Sequence, residues 1–301
     1  METGWLAAAY QPVRDVDKTE ENRPMASAQA SAIISTYNQP EWLRRCLLGY
    51  AHQDRTDFEL LVADDGSGPE TRAMIDAMRP QLPFDLKHVW QDDDGFRKCR
   101  ILNRAIEAAS TDYLIFSDGD CVPRSDFVSQ HLRLRKPGHY LGGGYCKMPG
   151  DISQRIDDAV IASGDFVDLA WLVAQGLPRR KQTWKLWARP GWRERVLNAV
   201  TPTPPRWAGN NASGWLADLR AVNGFDERLT YGGEDLELGE RLTRAGIRGK
   251  QIRFSAICVH LDHDRGYIKP EMIQANDRIR AQGRASRSVW TPFGLQRGAG
   301  A

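Results

Sequence analysis

Between residues 31 and 145, short apolar runs alternate with longer stretches of helical periodicity. Ala32–Ser35, Phe58–Ala63, Leu86–Trp90 and 112–117 have the length and the β-branched or aromatic content of buried strands. A helix is predicted after each: from Pro40 to about Gln53 with proline in its first turn, over 69–79, from Arg97 to Ala109, and over 125–136. A glycine-rich strand is expected from Tyr140 to Cys146. Strands spaced by helices of this length imply βαβ units and a largely parallel sheet. Farther on, a helix from about Glu234 to Ala245 ends at Gly246, and Ile252–Val259 reads as a strand.

Between these two regions the pattern changes. Residues 151–208 read as helical, then strongly basic and rich in tryptophan: Arg179, Arg180, Lys181, Lys185, Arg189, Arg193 and Arg195 alternate with Trp184, Trp187 and Trp192. The proline-rich 201–205 breaks the helix. The sequence therefore divides into a polar, poorly ordered extension (1–28), an α/β half (29–150), an insertion (151–208), a second compact half (209–285) and a tail (286–301), with Met25 a possible true start.

Composition narrows the class. With 301 residues, 41% hydrophobic and 27% charged, the chain suits one large soluble α/β unit or two small ones. A net charge of +2 argues against a protein that wraps nucleic acid. No apolar run reaches spanning length, and none near the start has signal-peptide length. The five cysteines lack metal-type spacing and lie mostly in apolar segments, so a reduced, cytosolic setting is the simplest reading.

The candidate chemistry lies at strand ends. Of four Asp-x-Asp triplets, only Asp118-Gly119-Asp120 directly follows an apolar run. Ligands of open α/β sheets bind outside the carboxyl ends of strands. Two hard oxygen ligands there suit Mg²⁺ or Mn²⁺ bridging a diphosphate. Ser35-Thr36-Tyr37-Asn38 and Asp64-Asp65-Gly66-Ser67 end two more strands, so one ligand spanning several strand ends would explain the convergence.

These motifs, followed by Gly232-Gly233-Glu234-Asp235, resemble in order and spacing a family 2 glycosyltransferase of the GT-A fold. Gly95–Asn103 and Asn223–Glu227 are similar to segments of bacterial chondroitin-polymerase-like transferases and of a galactosyltransferase-type C-terminal module. The resemblance covers roughly residues 31–265 and implies a Rossmann-like three-layer α/β/α sandwich, a UDP-sugar donor and a divalent cation. It implies that Ser35, Thr36, Tyr37, Asn38 and Asp65 meet the nucleoside, with Asp65 accepting from the uracil N–H. Asp120 would hold the metal with His260, or with His263 as fallback, and Asp118 would contact the ribose or a metal-bound water. A mixed carboxylate and imidazole set favours Mn²⁺. Asp235 would be the general base, with Glu234 and Gly233 at the acceptor. Arg97, Lys98 and Asn103 would serve the donor. Leu102 departs from the arginine that relatives often carry there, which leaves the phosphate contact open among Arg97, Lys98 and Arg100. Asn210, Asn211 and Trp215 could line the sugar pocket, Trp215 by stacking on a pyranose.

The expected reaction is inverting transfer to a hydroxyl of a glycan or lipid-linked acceptor, in polysaccharide or cell-envelope glycan biosynthesis. A nucleotidyltransferase is the rival enzyme class, but it would carry a glycine-rich loop after the first strand, where this chain has Thr36-Tyr37-Asn38-Gln39-Pro40. A non-catalytic nucleotide-sugar-binding module is the third reading, and the intact Glu234-Asp235 pair argues against it. Residues 179–195 carry two readings. One is contact with an anionic surface at the inner face of the membrane. The other, preferred because Pro190-Gly191 interrupts an amphipathic helix, is a solvated helix with its tryptophans packed inward.

Overall fold

The computed structural model describes residues 27–179, 183–263 and 269–296. The expectations placed on the N-terminal extension, Met25, Arg180, Lys181 and the last five residues lie outside these. Along the chain run β1 (Ser31–Thr36), α1 (Pro40–Ala51), β2 (Glu59–Asp64), α2 (Pro69–Met78), β3 (Asp85–Trp90), α3 (Lys98–Ala108), β4 (Tyr113–Asp118), β5 (Cys121–Pro123), α4 (Phe127–Leu134), β6 (His139–Gly142) and β7 (Gly144–Lys147). The short helices α5 (Gly150–Arg155), α6 (Asp158–Ser163), α7 (Leu169–Ala174), α8 (Trp184–Trp187) and α9 (Trp192–Val200) follow. The chain closes with β8 (Ala212–Trp215), α10 (Leu216–Ala221), α11 (Glu234–Arg244), β9 (Arg248–Gln251), β10 (Ile257–His260) and α12 (Pro270–Ala285).

A seven-stranded sheet has the order β3-β2-β1-β4-β8-β6-β9, parallel throughout except for β8. β1 and β2 are buried on both faces, which is why their sequences are continuous apolar runs. Ala32 and Ile34 point into a core with Leu43 and Leu47 of α1 and Ile75 of α2, whereas Ile33 points into one with Ile101 of α3 and Leu238 of α11. That alternation builds the three-layer α/β/α sandwich expected from the sequence. The chain leaves β1 towards β2 and later returns to β4 on the other side, so the β1/β4 border is the topological switch point.

A second sheet, β5-β10-β7, packs over a separate core formed with α5, α6 and α7. Here the structure corrects two expected strands. Tyr140–Cys146 divides at Gly143 into β6 and β7, which belong to different sheets. Ile252–Val259 likewise becomes a turn followed by β10. The wedge between the sheets is Asn211. Its Nδ2 donates to the carbonyls of Gly144 (3.0 Å) and Ala256 (2.9 Å). A Cβ at position 143 would lie 2.3 Å from the Asn211 side chain, so the close crossing requires glycine there.

Asn211 Oδ1 can then only accept, from His131 Nε2 at 3.0 Å. Burial lowers the His131 pKa to about 3, so its imidazole is neutral and Nδ1 accepts from Ser213 Oγ at 2.8 Å.

The C-terminal segment is not a free tail through residue 296. Asn223 Nδ2 donates to the Thr291 and Gln296 carbonyls at 2.6 and 2.8 Å, and Leu295 packs on the α3 side of the core. The insertion also departs from the preferred reading. Trp184, Trp187 and Trp192 are 57%, 58% and 71% exposed, and Arg193 lies over the rings of the last two.

Candidate active site

The switch point places Ser35 and Asp118 opposite each other in the β1/β4 register. Ser35 Oγ donates to Asp118 Oδ1 at 2.8 Å, and Lys98 Nζ reaches the same oxygen at 2.8 Å. Lys98 opens α3. Burial works against its charge, but Asp118, Asp235 and Glu234 around it prevail and hold its pKa well above the ordinary lysine range. This one ammonium joins the strand-end carboxylates to the candidate base. Gly119 turns the chain between the two aspartates, its N–H donating to the Ser35 carbonyl at 2.8 Å.

Asp120 enters β5, which pairs with β10 so that Cys121 lies opposite His260. Asp120 Oδ2 is 2.8 Å from His263 Nε2 and 3.2 Å from His260 Nε2. The two imidazoles stack at 5.9 Å and 14°. Burial opposes the Asp120 charge, yet hydrogen bonding to both imidazoles holds its pKa well below the usual carboxylate range. The ligand atoms of Asp120, His260 and His263 lie within 4.8 Å of one another, as do those of Asp118, Asp120 and Cys121. One carboxylate oxygen and two imidazole nitrogens fit a divalent transition ion better than Mg²⁺. Both histidines join the set, where the sequence offered them as first choice and fallback.

Asp235 sits in the first turn of α11, after Gly232 (φ 102°) and Gly233 (φ 93°), both in the left-handed region that glycine permits. Burial pushes its pKa up to about 7; Lys98 opposes the rise, while Glu234 and Asp118 add to it. Asp235 Oδ1 is buried with no hydrogen-bond partner. Glu234 is folded back, its Oε2 accepting from the Gly232 N–H at 2.9 Å.

Two residues that the sequence did not flag fix this arrangement. A Cβ at Gly209 would stand 2.6 Å from both Asp235 carboxylate oxygens, so only glycine leaves room for that side chain. Asn276 of α12 donates to the carbonyls of Thr230 (2.8 Å) and Gly232 (2.9 Å) and accepts from the Thr230 N–H (3.1 Å), bracing the loop that precedes the base. The left-handed glycines and the flanking acids mark that loop in the sequence, but nothing local marks its brace.

At the end of β2, Asp65 accepts from Gln91 Nε2 at 2.6 Å and from the Arg97 N–H at 2.9 Å, and burial raises its pKa to about 6. Its own N–H donates to the Thr36 carbonyl at 3.0 Å. Neighbouring Asp64 does the turn-forming work, accepting from the Ser67 N–H at 2.8 Å. Tyr37 is exposed and its hydroxyl donates to Asp93 at 2.9 Å. Asn38, at φ 47°, accepts from the Gly68 N–H at 2.9 Å and so ties the turn after β1 to the turn after β2.

Other expected site residues prove to be architectural. Asn103 is buried, with Nδ2 on the Phe225 carbonyl (2.9 Å) and Oδ1 on the Phe225 N–H (2.8 Å), so it holds the 223–227 loop rather than a donor. Asn211 is the inter-sheet wedge. Trp215 pairs with Tyr113 at the start of β4, the end opposite Asp118, and its ring packs on Tyr113 at 5.0 Å. It is not at the sugar pocket. Arg97 caps α3 with its backbone, and its side chain pairs with exposed Asp94 at 3.1 Å. Asn210 does remain near the site: its Oδ1 is buried without a partner, and its carbonyl accepts from Ser117 Oγ at 3.1 Å.

A mostly parallel α/β/α sheet with carboxylates and imidazoles gathered at its switch point is the arrangement of a GT-A glycosyltransferase. Two solved structures share this fold. The mannosyltransferase PcManGT from Pyrobaculum calidifontis, in complex with GDP-Man and Mn²⁺, superposes with a TM-score of 0.52 at 17% identity, covering 80% of this chain and 59% of that one. S. aureus TarS 1–349 in complex with UDP-GlcNAc gives 0.54 at 16%, covering 84% and 66%.

Residues 31–143 match the family model for glycosyl transferase family 2, so the chain carries a domain of that family. Validoxylamine A glucosyltransferase of Streptomyces hygroscopicus subsp. jinggangensis is 31% identical over 240 residues, 72% of this chain and 52% of the relative. Chondroitin synthase of Escherichia coli is 25% identical over 238 residues, 74% of this chain and 33% of the relative. The chain thus spans about half or less of the length of these curated relatives. Among the described residues no helix is long and apolar enough to cross a membrane.

Proposed function

We propose that this chain transfers a glycosyl group from a nucleotide-sugar, a UDP-sugar, to a hydroxyl of a glycan or lipid-linked acceptor, with inversion at the anomeric carbon, in polysaccharide or envelope glycan assembly. The observation that carries the reading is Asp235: a buried carboxylate with an unpartnered oxygen, beside Lys98 and poised near neutral pH. A sugar hydroxyl is a poor nucleophile until its proton has somewhere to go, and a base whose pKa lies near the working pH is the efficient recipient.

The steps belong to this chain's own groups. Asp235 Oδ1 accepts the acceptor's hydroxyl proton as the acceptor oxygen bonds to the anomeric carbon. The bond from that carbon to the diphosphate oxygen breaks, and the nucleoside diphosphate departs with the electron pair. A single displacement inverts the centre. Glu234, held by the Gly232 N–H, orients the acceptor with its other oxygen. Lys98 pairs with Asp118 and limits the charge that accumulates where donor and base meet. Asp65 takes the uracil N–H and Tyr37 flanks the base. Asp120, His260 and His263 would hold a divalent cation, Mn²⁺ in preference to Mg²⁺, which when bound offsets charge on the departing diphosphate.

The exposed tryptophans and the exposed Arg189, Arg193 and Arg195 support peripheral contact with an anionic bilayer, where a lipid-linked acceptor would reside. The only acid between residues 183 and 206, Glu194, is buried against Arg133.

The test is release of UDP across a panel of UDP-sugars with Mn²⁺, with Mg²⁺ and with EDTA. One donor should be turned over, and EDTA should stop it. Absence of binding to every nucleotide-sugar in the panel would overturn the reading.

A further inference from the structure

A groove of about 850 Å³ runs between β7, the segment after α9 and the turn before β10. One end reaches Ala208, Asn210 and Leu236, the neighbours of Gly209 and Asp235. Tyr145, whose ring lies 5.3 Å from that of His260, stands on its wall, so the groove also passes the metal-ligating triad. The other end opens at Trp184 and Val200.

Its lining includes Lys147, Lys185, Arg206 and Arg253 and, among the described residues, no Asp or Glu. Lys147 is neutralised at the rim by Asp262 at 2.9 Å. The inner cations have no described carboxylate partner. Lys185 Nζ donates to the Tyr145 carbonyl at 2.8 Å. Arg253 Nη1 donates to Thr203 Oγ1 at 3.0 Å, and its Nε is buried with no partner at all. Burial lowers the pKa of both, and the Arg253 charge lowers that of Lys185 further. Two half-buried like charges facing one cavity are costly unless an anion enters it.

We propose that this groove is the acceptor subsite and that its ligand is an anionic oligosaccharide, carrying a carboxylate or a phosphodiester that lies between Lys185 and Arg253 when the reacting hydroxyl is at Asp235. Tyr145 and Trp184 supply the aromatic faces on which sugar rings stack. The assignment rests on the transferase reading for its function, but the anion site itself stands on the groove.

Equilibrium binding tests it with four probes on the same protein: an unsulfated hexuronate–N-acetylhexosamine hexasaccharide, its carboxyl-reduced neutral form, a glycerol-phosphate oligomer, and UDP with Mn²⁺. The wild type should bind at least one anionic probe, more weakly as salt rises, and the neutral form poorly. Binding of the hexuronate alone identifies a carboxylate, and binding of the glycerol phosphate alone a phosphodiester. Lys185→Gln with Arg253→Gln should weaken the anionic probe by about tenfold or more and leave UDP affinity unchanged. Arg206→Gln, at an exposed position, should give a smaller loss and serves if the double variant fails to fold.

Equal binding of the neutral and anionic forms, or no binding of either anionic probe, overturns the proposal. A double variant that loses UDP instead assigns the groove to the donor diphosphate and also overturns it. Binding across the UDP-sugar panel, read on the same samples, separates the outcomes: its absence from the wild type brings down the transferase reading and leaves the anion site standing.

Discussion

The strand ends and the insertion present charge in opposite ways. At the strand ends every acid has a built-in partner: Asp118 has Lys98 and Ser35, Asp120 has two imidazoles, and Asp65 has Gln91 and the Arg97 N–H. Around 183–206 the surplus is positive, and aromatic rings face outward. The first region is organised before any ligand arrives, so substitutions there should alter chemistry or nucleotide binding. The second carries unmatched cations and open apolar surface, so its substitutions should alter which acceptor or surface is met.

The sharpest way to break that division is at Asp235. Asp235→Asn should cut transfer by about 10²–10⁴-fold while leaving UDP affinity in Mn²⁺ nearly intact. Calorimetric titration beside a turnover assay checks this, and equal loss of both would count against a separate role for Asp235 as the base. Gly209→Ala should reproduce most of that defect without removing any functional group, because its methyl occupies the space of the carboxylate.

The same base predicts a pH profile. Asp235 must be ionised to accept a proton and its pKa is pushed up to about 7, so turnover should rise with pH and be half-maximal near 7. For stability the sign is opposite. The unfolded chain releases this proton near pH 4, so the buried carboxyl favours folding less as pH rises from about 4 to 7. A rate independent of pH between 5.5 and 8, a range that brackets this group's titration, would exclude Asp235 as the base.

Next in size is Asp120→Ala. It should abolish the Mn²⁺-dependent part of UDP binding, and EDTA should do the same to the wild type and to Asp235→Asn while leaving Asp120→Ala no worse than before. UDP affinity insensitive to both would show the donor held by other groups.

Asn211→Ala probes the seam between the sheets. It strands the Gly144 and Ala256 carbonyls and the His131 N–H, at about 1–3 kcal/mol for each buried group left unpaired, so thermal unfolding should fall by several degrees. An unchanged melting temperature would mean that the two sheets are joined elsewhere.

The smallest effect on stability should come from Trp187→Ala with Trp192→Ala, within about 0.5 kcal/mol because both rings are exposed. Co-sedimentation with phosphatidylserine vesicles should nevertheless drop. Sedimentation as strong as that of the wild type would remove the membrane contact.

Much of the fold over residues 31–145 was readable because its signals are local. Buried parallel strands are uninterrupted apolar runs, prolines at 40 and 69 mark helix starts, and Asp118 and Asp120 follow the run that becomes β4. What escaped depends on residues far apart in sequence. Asn103, Asn211 and Trp215 have the chemistry of pocket residues, and only the packing around them decides that they serve as ties and wedge. Nothing within 140–146 reveals that Gly143 passes the chain from one sheet to another, since the obstacle there is the side chain of Asn211. The tryptophans of 184–192 were visible as a cluster, but their outward direction was not. Helix α12 gave little amphipathic signal because most of it is exposed; Asn276 alone is fully buried along it.

Asn276 has a consequence in time as well as in space. It lies 156 residues beyond Asp120, so at roughly 5–20 residues per second a ribosome emits strands β1 to β4 about 8–30 s before the brace of the loop that leads to Asp235. The nascent chain therefore carries Asp65, Asp118 and Asp120 well before the loop that leads to Asp235 can be fixed in place.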